Sequence, residues 1–293
     1  MNFTTIQVQL AQGVCTLTLN RPEVRNAMSL AMVSELLAAL KAAEQDSDVR
    51  AVVLRGSGGH FCAGGDISDM AQARMKLAQM QMMQVPPAMP DAHGASMPAT
   101  SGTTNANGTA PNPVAETNAA FGRLCLAYAR SPLPIVTVLE GTVMGGGFGL
   151  ACVSDVSLAL DTVAFRLPET SLGIIPAQIA PFLVERLGYA EAKRLSVTGA
   201  KINAAEALTL RLVHEVHTNT DELAGALQRT LASILACGPN AIATTKGLLA
   251  RARLAPPEQL IDDAAQSFAH AVLSDEGQEG TAAFMQKRKP RWA

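Results

Sequence analysis

Apolar positions follow a strand-like pattern in the early chain and a helical one later. Ile6 to Gln9 and Val14 to Leu19 gather β-formers around Gln12-Gly13, which predicts a hairpin. Ser29 stands as N-cap before a helix reaching about Ala43, whose Met32, Val33, Leu36, Leu37 and Leu40 share one face; core packing accounts for Met32. Val49 to Leu54 predicts a buried strand. A helical pattern covers Thr117 to Ala129 and is stopped by Ser131-Pro132-Leu133-Pro134 ahead of a β-branched strand, Ile135 to Leu139. An apolar helical segment follows at Phe148 to Val153. Pro181 to Leu187, Ala190 to Val197, Ala204 to Leu210, Asp221 to Ala236, Asn240 to Arg253 and Pro256 to Leu273 also read as helices. The expected order is strands alternating with helices, then helices alone, with no repeat of fixed period.

Between Met70 and about Pro113 the composition changes. Seven of the twelve methionines lie from Met70 to Met97, and six of the sixteen prolines from Pro86 to Pro113. MAQARMKLAQMQMMQ predicts a helix. Core packing is the plain account of its methionines; an adaptable wall for an apolar substrate is the functional one. SMPATSGTTNANGTAPNP has little to bury against its ordering entropy, so a mobile insertion or irregular lid is expected at about 71–116.

With 293 residues, 48% of them hydrophobic, the chain has ample material for a large core. A net charge of −2 offers no basic field for nucleic acid or an anionic membrane surface. Cys15, Cys62, Cys125, Cys152 and Cys237 are odd in number and widely spaced, which fits a reducing compartment better than a disulfide framework or a metal site. MNFTTIQVQL has no basic, apolar leader pattern, and no run of eighteen apolar residues occurs, so a cytoplasmic protein is expected.

Candidate chemistry is concentrated from Gly141 to Gly173. Gly145, Gly146 and Gly147 lie between the Ile135 strand and an apolar helix; without Cβ atoms they can present N–H groups at the positive end of a helix dipole. A phosphate cradle and simple close packing compete with that reading. The phosphate version lacks both a Gly-Lys-Ser/Thr ending and a GxGxxG after the first strand of a βαβ unit. A second exposed backbone stands at Gly64-Gly65, with Asp66 able to cap the next helix. The third element is Glu169 in FRLPETSLG: beside Leu167, Pro168 and Leu172 its pKa would rise, or it caps the following turn. Two N–H groups converging on one oxygen form an oxyanion hole, and a thioester carbonyl becoming an enolate develops the charge that such a hole stabilises. His60 and Cys62 are weaker candidates, a loop histidine being ordinarily solvated and the thiol having no partner arrangement.

LNRPEVRNAMS, FCAGGDISDM, GTVMGGGFGLACVSDVSLA, FRLPETSLGIIP, TGAKINAAEALTLRLVHEV and FMQKRKPRWA occur in an order that resembles the enoyl-CoA hydratase/isomerase (crotonase) family over nearly the whole length. The resemblance implies an α/β fold, a spiral of ββα units forming two roughly perpendicular sheets. It places the core at 1–200 and a helical trimerisation region at 201–293, with assembly as a homotrimer or a hexamer of paired trimers. It implies an acyl-CoA substrate, with coenzyme A part of that substrate and no separate cofactor or metal. Carried onto this chain, the oxyanion-hole amides fall on Gly65 and Gly146 and the catalytic carboxylate on Glu169. Arg25, Ala63, Asp66 and Gly145 border the implied CoA site, and Lys287 matches a lysine that approaches CoA phosphates, often from a neighbouring subunit. Its plain alternative is a solvated basic tail with Arg288, Lys289 and Arg291.

One departure bears on the chemistry. Hydratases of this family carry two glutamates, whereas this chain has Gly149 at the first position and Glu169 at the second. The wording GGGFGLACVSD and PETSLGIIPAQIAPF is similar to the bacterial branch that hydrates methylglutaconyl- or isohexenylglutaconyl-CoA in leucine and terpene breakdown. Loss of bulk and charge at Gly149 would ease entry of a branched or acidic acyl group, and Arg166 is a candidate for its distal carboxylate or else an ordinary strand-end arginine. Hydration of such an ester is the expected reaction. An isomerase of the same fold and a non-catalytic CoA-binding protein are the alternatives.

Overall fold

The computed structural model describes residues 3–84 and 112–293; the Pro-rich tract lies outside them. The chain opens with a hairpin, β1 (Ile6–Ala11) and β2 (Val14–Leu19), paired antiparallel in register Ala11↔Val14. Its two-residue turn needs positive φ at both positions, and Gln12 and Gly13 supply φ 51° and 77°. A short 3-10 turn (Pro22–Val24) leads to α1 (Leu30–Gln45), where the Ser29 hydroxyl accepts from the Met32 N–H at 3.2 Å as its cap. Next come β3 (Ala51–Gly56), α2 (Ile67–Gln84), α3 (Pro113–Arg130), β4 (Ile135–Leu139), β5 (Thr142–Met144) and α4 (Gly146–Val153). β6 (Val156–Leu160), β7 (Ala164–Arg166), α5 (Ala180–Thr198), β8 (Lys201–Asn203), α6 (Ala204–Thr209), β9 (Glu215–His217), α7 (Thr220–Leu235), α8 (Pro239–Ala252), α9 (Ile261–Leu273) and α10 (Asp275–Met285) complete the described chain.

Six strands form one sheet in the order β1-β2-β3-β4-β6-β9, parallel from β2 onward, and β5-β7-β8 form a second. The strand period of two divides the core. Val52, Leu54, Ile135 and Leu139 face the cluster containing Leu36, Leu124 and Phe148. Val53, Val136, Val138 and Leu158 face Leu223 and Ala226 of α7. Helices on both faces explain why β3 and β4 are buried along their length apart from Arg55.

Two expectations need correction. Past residue 200 the chain is not helices alone: β8 closes the small sheet and β9 edges the large one. These three-residue strands are too short to leave a periodic signature. The Met-rich segment is a helix as expected, but Met75 and Met82 are exposed, so core packing does not account for them. The two helices read at 181–187 and 190–197 are both present, run together as α5 across a kink at Gly188, whose φ of 74° and ψ of 159° are not helical.

Candidate active site

Three loops at the carboxyl ends of the parallel strands build the site. Backbone bonds lace two of them together: Phe61 N–H donates to Glu140 O (2.9 Å), Cys62 N–H to Thr142 O (3.0 Å) and Met144 N–H to Cys62 O (2.9 Å). His60 Nδ1 accepts from the Thr142 N–H at 3.1 Å, which gives the ring a structural task. This lacing brings the glycine turns into contact. A Cβ on Gly64 would lie 3.9 Å from the Gly145 Cα, and both glycines hold positive φ, 102° and 45°.

Gly65 is exposed, nothing stands within 4 Å of where its Cβ would be, and its N–H has no hydrogen-bond partner among the described residues. Gly146 is the first residue of α4, so its N–H has no intrahelical acceptor and lies at the positive end of the helix. The Phe121 ring edge covers the other side of Gly146, 3.1 Å from its virtual Cβ.

Glu169 follows β7 and Pro168 at the start of a 3-10 turn. Its Oε1 lies 2.9 Å from the virtual Cβ of Gly145, and its Oε2 is buried without a hydrogen-bond partner among the described residues. Burial raises its pKa, partly offset by a bond from its own backbone N–H. A half-buried carboxylate with an unused oxygen can accept and return a proton.

The other candidates divide by how their groups are engaged. The Ala63 N–H is taken by Arg25 O (3.0 Å), the Asp66 N–H by Met28 O (3.0 Å) and the Gly145 N–H by Arg166 O (3.2 Å). Arg25 is exposed on the rim in a left-handed conformation. Asp66 pairs with Arg21 at 2.7 Å and accepts from the Ser68 N–H and hydroxyl at the head of α2. Burial would raise the Asp66 pKa, but the Ser68 and Arg21 bonds outweigh it and hold the carboxyl below its ordinary value.

Lys287 is not brought to this cluster within one chain. It lines a hollow with Gly13 and Arg50, which precede β2 and β3 at the opposite end of the sheet. Arg166 Nε donates to Gly199 O at 3.2 Å. Cys62 is fully buried and its thiol is pushed up to about 11 by desolvation, which leaves it inert as a nucleophile.

The space expected at Gly149 is occupied: a Cβ there would run into Ile179 Cγ2 and meet Phe121 Cε1 at 3.5 Å. An apolar wall therefore stands where the second glutamate of the two-carboxylate pattern would be. Phe121, Ile179 and Asn26 are the neighbours that sequence reasoning missed. Phe121 and Ile179 carried only a generic apolar signal, while Asn26 lay inside a quoted motif without a role. Among the described residues no group of three or more His, Cys, Asp or Glu can hold a metal ion, and no helix is long and apolar enough to cross a membrane.

A fold of this topology with paired glycine turns beside a half-buried carboxylate defines a class that comparison with known proteins makes explicit. The enoyl-CoA hydratase/isomerase family profile matches residues 9–92 and 94–293, and the chain belongs to that family, with its α/β crotonase fold. Over 100% of its length the chain is 30% identical to the "Probable enoyl-CoA hydratase" of Rhodobacter capsulatus, covering 99% of that protein. It is 28% identical to the peroxisomal Delta(3,5)-Delta(2,4)-dienoyl-CoA isomerase of Arabidopsis thaliana, covering 96% of this chain and 93% of that one. Among solved structures, Pseudomonas aeruginosa AtuE is 47% identical with a TM-score of 0.85, covering 99% of this chain and 100% of that one.

Proposed function

We propose that this protein adds water across the conjugated double bond of an enoyl-CoA thioester, with Glu169 as its single acid/base. The Gly65 and Gly146 N–H groups hold the thioester oxygen. Water attacks C3 while Glu169 takes its proton, electrons move through C2 onto the held oxygen, and the enolate collapses as the same proton is delivered to C2. The sum is one water added, with the carboxylate regenerated. The observation that carries this reading is the Glu169 carboxylate lying against Gly145 beside the two abutting glycine turns, with Oε2 unpartnered among the described residues.

A branched glutaconyl-type ester is the substrate we favour. The motif wording around Gly149 and Glu169 supports it, as does the absence of a second carboxylate to repel an acidic acyl group. Assembly as a homotrimer or hexamer belongs to the same reading: Leu249, Phe268, Leu273, Phe284 and Met285 of α8, α9 and α10 are large apolar side chains left exposed in a single chain. Lys287 would then serve a neighbouring subunit's CoA. A cytoplasmic setting agrees with five free cysteines, four of them buried.

A second reading, double-bond isomerisation, is favoured by the Ile179–Phe121 wall, because a single carboxylate suffices to shuttle one proton between carbons. Mass spectrometry on a panel of 2-enoyl-CoA esters that includes 3-methylglutaconyl-CoA and a longer terpenoid homologue tests the first reading. A gain of one water supports hydration. Deuterium incorporation from D2O into a 3-enoyl-CoA, with no hydroxy product from any ester, replaces hydration with isomerisation.

A further inference from the structure

The Gly65 amide is useful only if its loop is held still, and the loop's glycines do not hold it. The support comes from the segment after β2. Asn26 is completely buried, in a left-handed conformation with φ 56°, and every polar atom of its side chain is engaged. Its Oδ1 accepts from the Arg21 N–H at 2.8 Å, and its Nδ2 donates to Ser57 O at 2.9 Å and His60 O at 2.7 Å. Asn is among the few side chains that tolerate this backbone conformation and also offer two donors and an acceptor at one site.

Further ties run from the same segment to the Gly65 turn. Arg21 Nη1 bridges Ala27 O and Asp66 Oδ2, both at 2.7 Å. Met28 N–H donates to Gly64 O at 2.7 Å, and Asp66 N–H returns to Met28 O at 3.0 Å. Residues 64 and 66 are thus bonded on either side of Gly65, whose own N–H is left unbonded among the described residues. His60, whose carbonyl Asn26 holds, also accepts from Thr142 through its ring, so the same fixture reaches the strand leading to Gly146.

We propose that Asn26, acting with the Arg21–Asp66 ion pair, is a positioning residue that fixes the direction of the Gly65 N–H relative to the Gly146 N–H. It touches no reacting atom. The inference rests on the reading that these amides bind the thioester oxygen, and its test is chosen to separate the two.

The test uses a conjugated aryl-enoyl-CoA, whose absorbance moves to longer wavelength when its thioester oxygen is hydrogen-bonded, together with kcat and KM on the best substrate. Wild-type protein should produce the band shift. Asn26→Ala should bind the ester yet lose most of the shift, with kcat down about 10²-fold from a misplacement on the order of 1 Å and KM changed less than about threefold. Should Asn26→Ala fail to fold, Asn26→Asp takes its place. It is isosteric, keeps the acceptor and offers at most one of the two donors, so an intermediate shift is expected. Arg21→Lys should also give a partial loss. A full band shift and unchanged kcat in the folded Asn26 variant overturn the proposal. No shift in the wild-type protein overturns the oxyanion reading itself.

Discussion

The Glu169 carboxylate rests against the bare α-carbon of Gly145, with Oε1 2.9 Å from where a Cβ would stand. Gly145 holds φ 45° and ψ −113°, outside the regions that L side chains ordinarily occupy. An alanine there meets both obstacles. Gly145→Ala should cost roughly 1–3 kcal/mol of stability through backbone strain, read from denaturant midpoints. It should also push the carboxylate from its place and lower kcat by about 10²-fold or more. Unchanged kcat would show that the carboxylate does not act from this position.

Burial raises the Glu169 pKa, and the proton acceptor must be ionised. The acid limb of the kcat/KM profile should therefore lie above the ordinary carboxylate range, activity rising as pH passes the raised value. Stability moves the other way. A raised folded-state pKa means that the folded protein binds the proton more tightly than the unfolded chain between the two pKa values, so stability falls as pH climbs through that window. Glu169→Gln should accordingly melt at higher temperature than wild type above the window, with the advantage disappearing below the unfolded pKa. Equal melting temperatures across the range would remove burial as the cause.

Gly149 and Ile179 are coupled by volume. Helix propensity favours Gly149→Ala by about 1 kcal/mol, whereas overpacking against a buried isoleucine costs about 1–3 kcal/mol. The net expectation is loss of stability. In a double-mutant cycle with Ile179→Ala, which removes the clashing Cγ2, the combined loss should fall short of the sum by about 0.5 kcal/mol or more. Additive losses would show that Ile179 is not what excludes a side chain at 149.

Thiol labelling reads the core independently. Cys15 and Cys62 are pushed up to about 11 and Cys152 to about 12 by burial; Cys125 is raised further, and only Cys237 is exposed. At neutral pH the native protein should take up at most one equivalent of an alkylating reagent rapidly, and five after unfolding. Rapid native labelling of Cys62 would contradict its complete burial.

What the sequence made legible was local. The Gln12-Gly13 turn, the Ser29 cap, the β-branched strand from Ile135 and the glycine entrance to α4 each carry their signal within a few residues. The helix break near Gly188 was readable for the same reason. β5, β7, β8 and β9 were not, because three residues make no period and their pairing is set by distant partners. Glu169, Gly65 and Gly146 could be named as candidates because glycine and carboxylate chemistry is explicit in the letters. Asn26 was not, since its task depends on carbonyls 31 and 34 residues away. The wall at Gly149 was misread as open space because Ile179 fills it from another loop.

If Glu169 moves the proton while the two amides hold the ester, turnover by Glu169→Gln measured alongside its affinity for the same enoyl-CoA separates the two tasks. Glutamine keeps the shape and loses the base. The expected result is a kcat lower by at least about 10²-fold, the scale of general acid–base catalysis, with the dissociation constant nearly unchanged. Full turnover by Glu169→Gln would contradict it.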